Sequence, residues 1–227
     1  MYTICLVEDE KSLSDLIKMY LEKEGYNVIQ FFNGHDAINF VKEKCHLWIL
    51  DIMLGDDISG YDIIKKIREK DENIPVIFTS ARDQDIDKII GLEMGSDDYL
   101  AKPFSTKELV LRVNRLINRI YKDKGTVREL IYDCYYVDLN KRCAKENDKE
   151  IKLTTLEFDL LLLLLNNKNI TFSREEILKK IWGEDYFGSD RAVDDLIRRV
   201  RKKMPKLNIS TIYGYGYRLS WNTLKIN

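Results

Sequence analysis

Long apolar runs are missing from this chain. The longest, residues 160–165, is six leucines, far short of the roughly 18 residues a membrane span requires. No basic segment leads into an apolar stretch near Met1, which argues against a secretory signal. Cysteine is scarce and scattered. Cys5, Cys45, Cys134 and Cys143 form no CxxC pair and have no histidine spaced as a co-ligand. A reduced, cytoplasmic chain without structural zinc or membrane partner is the expectation. Internal repeats and low-complexity segments are also absent.

What is present suits a soluble chain of two ordinary domains within 227 residues, with 44% hydrophobic and 33% charged residues. The net charge of −1 conceals an asymmetry. Residues 1–120 hold 22 acidic and 16 basic side chains, and residues 121–227 hold 16 acidic and 21 basic. An acidic front and a basic back direct attention to the second half as the part that meets a polyanion.

Residues 3–7, 28–31, 47–50, 75–79 and 99–101 read as five short strands. Between them, apolar residues recur three and four apart, as in Leu13, Leu16, Ile17, Tyr20 and Leu21, or Ile63, Ile64 and Ile67. Gly25 and Gly95 stand where helices should stop, and Ser105 with Glu108 has the spacing of a capping box. Five β-α units imply a doubly wound, flavodoxin-like α/β domain over residues 1–120. Ligands of such sheets bind at the carboxyl ends of the strands. Residues 121–128 are short, polar and contain Gly125, so they read as a linker.

Short strands are expected between residues 130 and 152, followed by helices opened by Thr154 with Glu157 and by Ser173 with Glu176. A third helix covers about residues 190–204. Two β-rich runs, 210–213 and 217–221, flank Gly214-Tyr215-Gly216 as a hairpin. Sheet, three helices and terminal hairpin make an α+β winged helix-turn-helix domain over residues 129–223.

Glu8 and Asp9 follow the first strand and Asp51 the third, so three carboxylates should converge on one rim. Like charges ~4 Å apart repel by about 4 kcal/mol at an intermediate dielectric, and a cluster of carboxylates with water favours Mg²⁺. Thr79 and Lys102 belong on the same rim. A hydroxyl and an ammonium beside an acid-bound metal are what a phosphoryl group needs. Lys102-Pro103 is a candidate cis peptide.

This constellation resembles the receiver domain of two-component response regulators, and the segment Gly95-Ser96-Asp97-Asp98-Tyr99-Leu100-Ala101-Lys102-Pro103-Phe104 resembles the OmpR/PhoB branch. The resemblance implies that Asp51 accepts a phosphoryl group from a sensor histidine kinase. It further implies that Asp9, Asp51 and the Met53 carbonyl hold Mg²⁺, with Glu8 supporting through water. Lys102 and Thr79 would bind the phosphoryl oxygens, and Tyr99 would turn inward as Thr79 moves. It also implies a phosphorylation-favoured homodimer through Lys88, Glu93, Asp98, Glu108 and Arg112, with Lys88–Glu108 and Asp98–Arg112 bridges between subunits. The usual basic partner of Glu93 is here Asn114, beside Arg115. One departure stands out: the proline usual after Asp-x-x-Leu is Gly55, and the loop to Gly60 is one residue longer.

In the second half, Arg191-x-Val193-Asp194 … Arg199-x-Arg201-Lys202-Lys203, then Tyr213-Gly214-x-Gly216-Tyr217-Arg218, resembles the OmpR/PhoB effector domain. Val193, Ile197, Val200 and Met204 should face the core, leaving Arg191, Arg198, Arg199, Arg201, Lys202 and Lys203 on a basic outer surface. Fifteen residues span ~22 Å, enough to lie in a major groove. The resemblance makes Arg198, Arg199 and Arg201 the candidates for base or phosphate contacts in promoter DNA. Arg191, Lys202 and the wing with Tyr213 and Arg218 join them. Asp195 stands where an apolar residue is usual, and Leu196 where histidine is frequent. Residues 182–188 resemble the loop that meets RNA polymerase.

Two other readings compete. A haloacid-dehalogenase-type phosphatase would carry a second acid at the position of Met53. A regulator that binds DNA independently of phosphorylation would share every motif above.

Overall fold

A computed structural model describes residues 1–55, 57–81, 90–91, 94–122, 129–183 and 190–220. Two units partition the chain, Met1–Asp123 and Lys124–Asn227. Among the described residues, no helix is long and apolar enough to cross a membrane.

The first unit is a five-stranded parallel sheet of β1 (Thr3–Val7), β2 (Asn27–Phe31), β3 (Leu47–Asp51), β4 (Val76–Ser80) and β5 (Asp98–Ala101), in the order β2-β1-β3-β4-β5. Side chains alternate between faces along each strand. Ile4 and Leu6 of β1 therefore join one core, built with Ile17 and Leu21 of α1 (Lys11–Lys23) and with Leu109, Val113 and Leu116 of α4 (Thr106–Ile117). Cys5 and Val7 join the other, with Ala37 of α2 (Gly34–Phe40) and Ile63, Ile64 and Ile67 of α3 (Gly60–Lys70). Burial on both faces explains why these strands read as unbroken apolar runs. Gly25 and Gly95, at φ 86° and 89°, take the left-handed conformation that closes a helix.

The expected capping box at the start of α4 does not form. Ser105 occupies the N-cap but makes no side-chain cap bond, and the Glu108 carboxylate, which would supply the reciprocal bond, is engaged by Arg112 at 2.7 Å. α3 has an unanticipated box instead, in which Ser59 and Asp62 cap each other's backbone.

The second unit opens with a four-stranded antiparallel sheet, β6 (Glu129–Tyr132), β7 (Tyr135–Asp138), β8 (Cys143–Glu146) and β9 (Lys149–Ile151), paired in sequence order. Asn147 and Asp148, both at positive φ, form the two-residue turn between β8 and β9. Three helices follow: α5 (Thr155–Asn166), α6 (Arg174–Trp182) and α7 (Arg191–Lys203). The capping boxes expected at Thr154/Glu157 and Ser173/Glu176 are both formed.

A three-residue strand, β10 (Thr171–Ser173), was not apparent in the sequence. It pairs with β12 (Gly216–Leu219), which also pairs with β11 (Ile209–Ile212). The terminal hairpin is thereby anchored to the entry of α6. At Gly216 any Cβ would run into the Phe172 carbonyl, so this strand pairing requires glycine. Gly216→Ala is expected to destabilise the second unit by about 1–3 kcal/mol, measured by urea denaturation. A variant as stable as the parent would show that β10 can move aside.

Candidate functional site

The carboxyl ends of β1, β3, β4 and β5 bring the acid site together. Asp51 is the last residue of β3 and is paired in register with Thr79 of β4. Glu8 and Asp9 follow β1, and Lys102 follows β5. Carboxylate oxygens of Glu8, Asp9 and Asp51 lie within 4.8 Å of one another, with Glu8 and Asp51 buried and Asp9 exposed. Lys102 Nζ is 2.6 Å from Asp51 Oδ2 and donates a 2.8 Å hydrogen bond to Glu8 Oε1. The Met53 N–H donates to Asp51 Oδ1 at 3.0 Å. Thr79 is 1% exposed, and the Lys102–Pro103 peptide is cis.

These charges do not balance: three carboxylates share one ammonium. Burial holds the Glu8 carboxyl up at about 7, opposed by its hydrogen bond from Lys102 and reinforced by the nearby Asp51 charge. Burial would depress the Lys102 ammonium, but hydrogen bonds to Asp51 and Glu8 raise it overall. Glu8 Oε2 is buried, with the Lys102 charge at 2.8 Å and no aligned hydrogen-bond donor. A buried acceptor without a donor, inside an acid-rich cluster with an exposed third carboxylate, fits a hard divalent cation. In the longer loop, Gly55 leaves the Asp9 side open: a Cβ there would lie 3.3 Å from Asp9 Oδ2.

Tyr99 is buried at 5% exposure and packs with Phe78. Of the expected dimer face, Lys88 and Glu93 lie outside the described residues. Asp98 and Arg112, which the resemblance pairs between subunits, meet within this single chain at 2.6 Å, and Arg112 also holds Glu108. The reason is proximity, since β5 and α4 are successive elements of one unit. Asn114 is occupied as well, accepting from the Tyr26 hydroxyl and donating to Glu24 at 3.2 Å.

On α7, Val193, Leu196, Ile197 and Val200 are buried, together with Met204 just beyond it. Arg191, Arg198 and Lys202 are exposed at helical spacing, with Asp195 between them and 3.0 Å from Arg198. The structure corrects the extent of the basic outer surface. Arg199 is turned inward, 3.7 Å from the buried Glu157 and 13% exposed in its side chain. Lys203 reaches the same carboxylate at 2.8 Å. Arg201 donates to the Ile209 carbonyl at 2.8 Å and to Thr211 Oγ1 at 3.0 Å, with its guanidinium over the Tyr217 ring. These three side chains brace the helix against α5 and β11. Tyr213 at the wing tip is 94% exposed. Arg218 is half-buried on the central strand of the wing sheet, next to Tyr217, whose ring faces α7. Alternation along β12 directs Arg218 to the opposite face. Trp182 is buried, and residues 184–189 lie outside the described residues.

Comparison with known proteins agrees with both halves. The family described as "Response regulator receiver domain" matches residues 4–114, and "Transcriptional regulatory protein, C terminal" matches residues 148–219. The chain is 52% identical over 221 residues to the transcriptional regulatory protein CssR of Bacillus subtilis, covering 96% of this chain and 98% of the relative. It is 35% identical over 221 residues to the response regulator SaeR of Staphylococcus aureus, covering 95% and 96%. Among solved structures, a RitR mutant covers 97% of this chain and 100% of its own, with TM-score 0.73 and 25% identity. DrrB of Thermotoga maritima, an OmpR/PhoB homolog, covers 97% and 99%, with TM-score 0.52 and 32% identity.

The chain is an OmpR/PhoB-type response regulator. It combines a receiver domain with a winged-helix DNA-binding domain.

Some residues that shape this regulator's sites escaped the sequence reading. Glu157 was read as a cap, and it is one, with Oε2 accepting from the Thr154 N–H at 2.9 Å. The same oxygen also anchors Lys203 of the basic helix. Asp194 accepts from Arg174 at 2.7 Å and from the Tyr217 hydroxyl at 2.7 Å, joining α6, α7 and β12. The Glu157 signal was visible as a capping position, but its second role depends on a helix some forty residues later.

Because Glu8 titrates near 7 in the folded regulator and near 4.5 ordinarily, the native state binds its proton more tightly. Its contribution to stability is complete at low pH and is lost as pH rises through about 7. In chelator-treated protein, Glu8→Gln should flatten the stability decline between roughly pH 5 and 8; parallel curves for parent and variant in urea titrations would defeat this. On the effector side, Arg198→Ala should weaken duplex DNA binding by about 1–3 kcal/mol without altering the melting temperature. Arg199→Ala should instead lower the melting temperature. Equal affinities of parent and Arg198→Ala in gel-shift assays would remove Arg198 from the interface.

Proposed function

We propose that this regulator is switched by phosphorylation of Asp51, which a sensor histidine kinase carries out, and that the switched form dimerises and binds promoter DNA. The observation that carries this reading is the buried Asp51 carboxylate, held by Lys102 at 2.6 Å amid two further acids. In the transfer, a carboxylate oxygen of Asp51 attacks phosphorus. The O–P bond forms as the N–P bond of the kinase phosphohistidine breaks, and the imidazole leaves with the electron pair.

Asp9, Asp51 and the Met53 carbonyl would hold Mg²⁺, with Glu8 supporting through water; the ion supplies charge neutralisation of the phosphoryl oxygens. Lys102 provides the positive charge opposite it. Before transfer Lys102 neutralises two acids, and afterwards it is available to the phosphoryl group, which adds acceptor oxygens and negative charge. Thr79, in register with Asp51, supplies a hydroxyl to those oxygens. Its movement favours the buried Tyr99, biasing a two-state element. Dimerisation through the face bearing Lys88, Glu93, Asp98, Glu108 and Arg112 would exchange the internal Arg112 pairs for pairs between subunits. The Asp98 and Arg112 side chains are only 7% and 11% exposed, so breaking that pair is costly unless the other subunit supplies replacement partners.

On DNA, the stripe Arg191, Arg198 and Lys202 faces the major groove and Tyr213 extends along the backbone. Arginine's fork suits guanine edges and phosphates alike. Asp195 beside Arg198 orients that fork and can accept from a cytosine amino group. RNA polymerase is the expected further partner of the segment after Trp182.

Incubation with acetyl phosphate and Mg²⁺ should add one phosphoryl group, mapped by mass spectrometry to Asp51. Asp51→Asn, or chelation of the metal, should abolish it. Modification of another residue, or promoter affinity unchanged by phosphorylation, would favour the phosphorylation-independent regulator instead.

A further inference from the structure

The receiver contains a second chemically distinctive site, at the end of the sheet remote from Asp51. Cys5 lies within β1 and Cys45 two residues before β3 begins. Forty residues separate them in sequence, yet both belong to the same core, and their thiols are hydrogen bonded to each other. The Cys45 sulfur is 3.6 Å from the Thr3 carbonyl and 3.1 Å from that of Leu47, so it sits against the backbone of both strands.

The two sulfurs differ in access. Cys5 is 0% exposed, whereas Cys45, 7% exposed, lines an open cavity of about 570 Å³. Lys42, Lys44, Lys70 and His46 also line this cavity, with Asp71 as its one acid. Lys70 is fixed there by the carbonyls of Val41 and Glu43, at 2.7 and 2.6 Å. A cationic rim favours a thiolate over a thiol. Burial pushes the Cys45 thiol up, but the hydrogen bond with Cys5 and those with the backbone of Leu47, Cys5 and His46 bring it below its usual value. Cys5 is pushed up by its bond with Cys45 and by burial. Because Cys45 lines the cavity and Cys5 is enclosed behind it, Cys45 is the nucleophile and Cys5 the resolving thiol.

We propose that Cys5 and Cys45 form a reversible redox pair, closing to an intramolecular disulfide when a hydroperoxide enters the lysine-rimmed cavity. The Cys45 thiolate attacks the peroxide: an S–O bond forms, the O–O bond breaks, and the leaving oxygen departs as alcohol or water after taking a proton. The Cys5 sulfur then attacks the Cys45 sulfenic acid. An S–S bond forms, the S–O bond breaks, and hydroxide leaves with the Cys5 proton as water. Two thiols lose two electrons and one peroxide gains them. A dithiol reductant reverses the change by exchange.

The full chain carrying Cys134→Ser and Cys143→Ser isolates the pair. After treatment with hydrogen peroxide, the protein is denatured in alkylating reagent, and intact mass and peptide map are recorded. The expected result is a loss of about 2 Da, a cross-linked peptide joining Cys5 to Cys45, and recovery of both thiols with dithiothreitol. Lys44→Glu should slow closure several-fold. In a Cys5→Ser chain, Cys45 should advance to the sulfinic acid because no resolving thiol remains. Recovery of both cysteines in alkylated form would overturn the proposal. So would sulfinic Cys45 beside alkylated Cys5 in the chain that retains both, or a Lys44→Glu rate equal to the parent's.

Discussion

One ammonium among three carboxylates governs the receiver. Lys102 touches Glu8 and Asp51 directly, and Asp9 completes the acid cluster within 4.8 Å. Without that cation, two buried negative charges would face each other in a medium that screens them poorly, and one would have to protonate. With it, the site is stable yet still deficient in positive charge. A deficit of that sign attracts a hard cation, and a cation in turn makes room for a phosphoryl group. The parallel sheet exists, functionally, to bring four strand ends to this point.

Much of this site is legible in the sequence for a simple reason. Each of its residues lies within two positions of a strand's carboxyl end, and strand order in a doubly wound sheet fixes which ends are neighbours. Asp51 and Thr79 are register partners, so finding their strands is almost equivalent to finding the site. The strands themselves are readable because both faces of the sheet are buried and their residues are nearly all apolar. The wing is less legible. β10 has three residues, too few to show a period, and its existence depends on β12 more than forty residues away.

The basic helix illustrates a different limit. Periodicity separates a core face from everything else, and Val193, Ile197, Val200 and Met204 were readable on that basis. It does not distinguish true solvent from the flanks, where a helix meets neighbours edge-on. Arg199, Arg201 and Lys203 occupy those flanks, and their long side chains reach partners on α5 and β11. Long cationic side chains can serve either water or a buried acceptor, so composition alone assigns all of them outward. The capping chemistry shows the same limit. Ser105 and Glu108 have the correct spacing, yet Arg112 one turn later competes for the carboxylate.

The two units hold buried glutamates in opposite charge settings. Glu8 shares one lysine with a second buried acid and an exposed third, so its surroundings carry surplus negative charge. Glu157, 0% exposed, faces both Lys203 and Arg199, so its surroundings carry surplus positive charge. The first arrangement is incomplete without a cation. The second already holds two cations against one acid, with Lys203 bonded to Oε2 and Arg199 3.7 Å from Oε1, and it ties α7 to α5, leaving Arg191, Arg198 and Lys202 as an outward stripe. Buried pairs of this kind contribute little net stability compared with apolar packing. Their value lies in orientation: a carboxylate that must keep its cations close cannot let the helix rotate, and a helix that cannot rotate keeps the same three side chains turned outward.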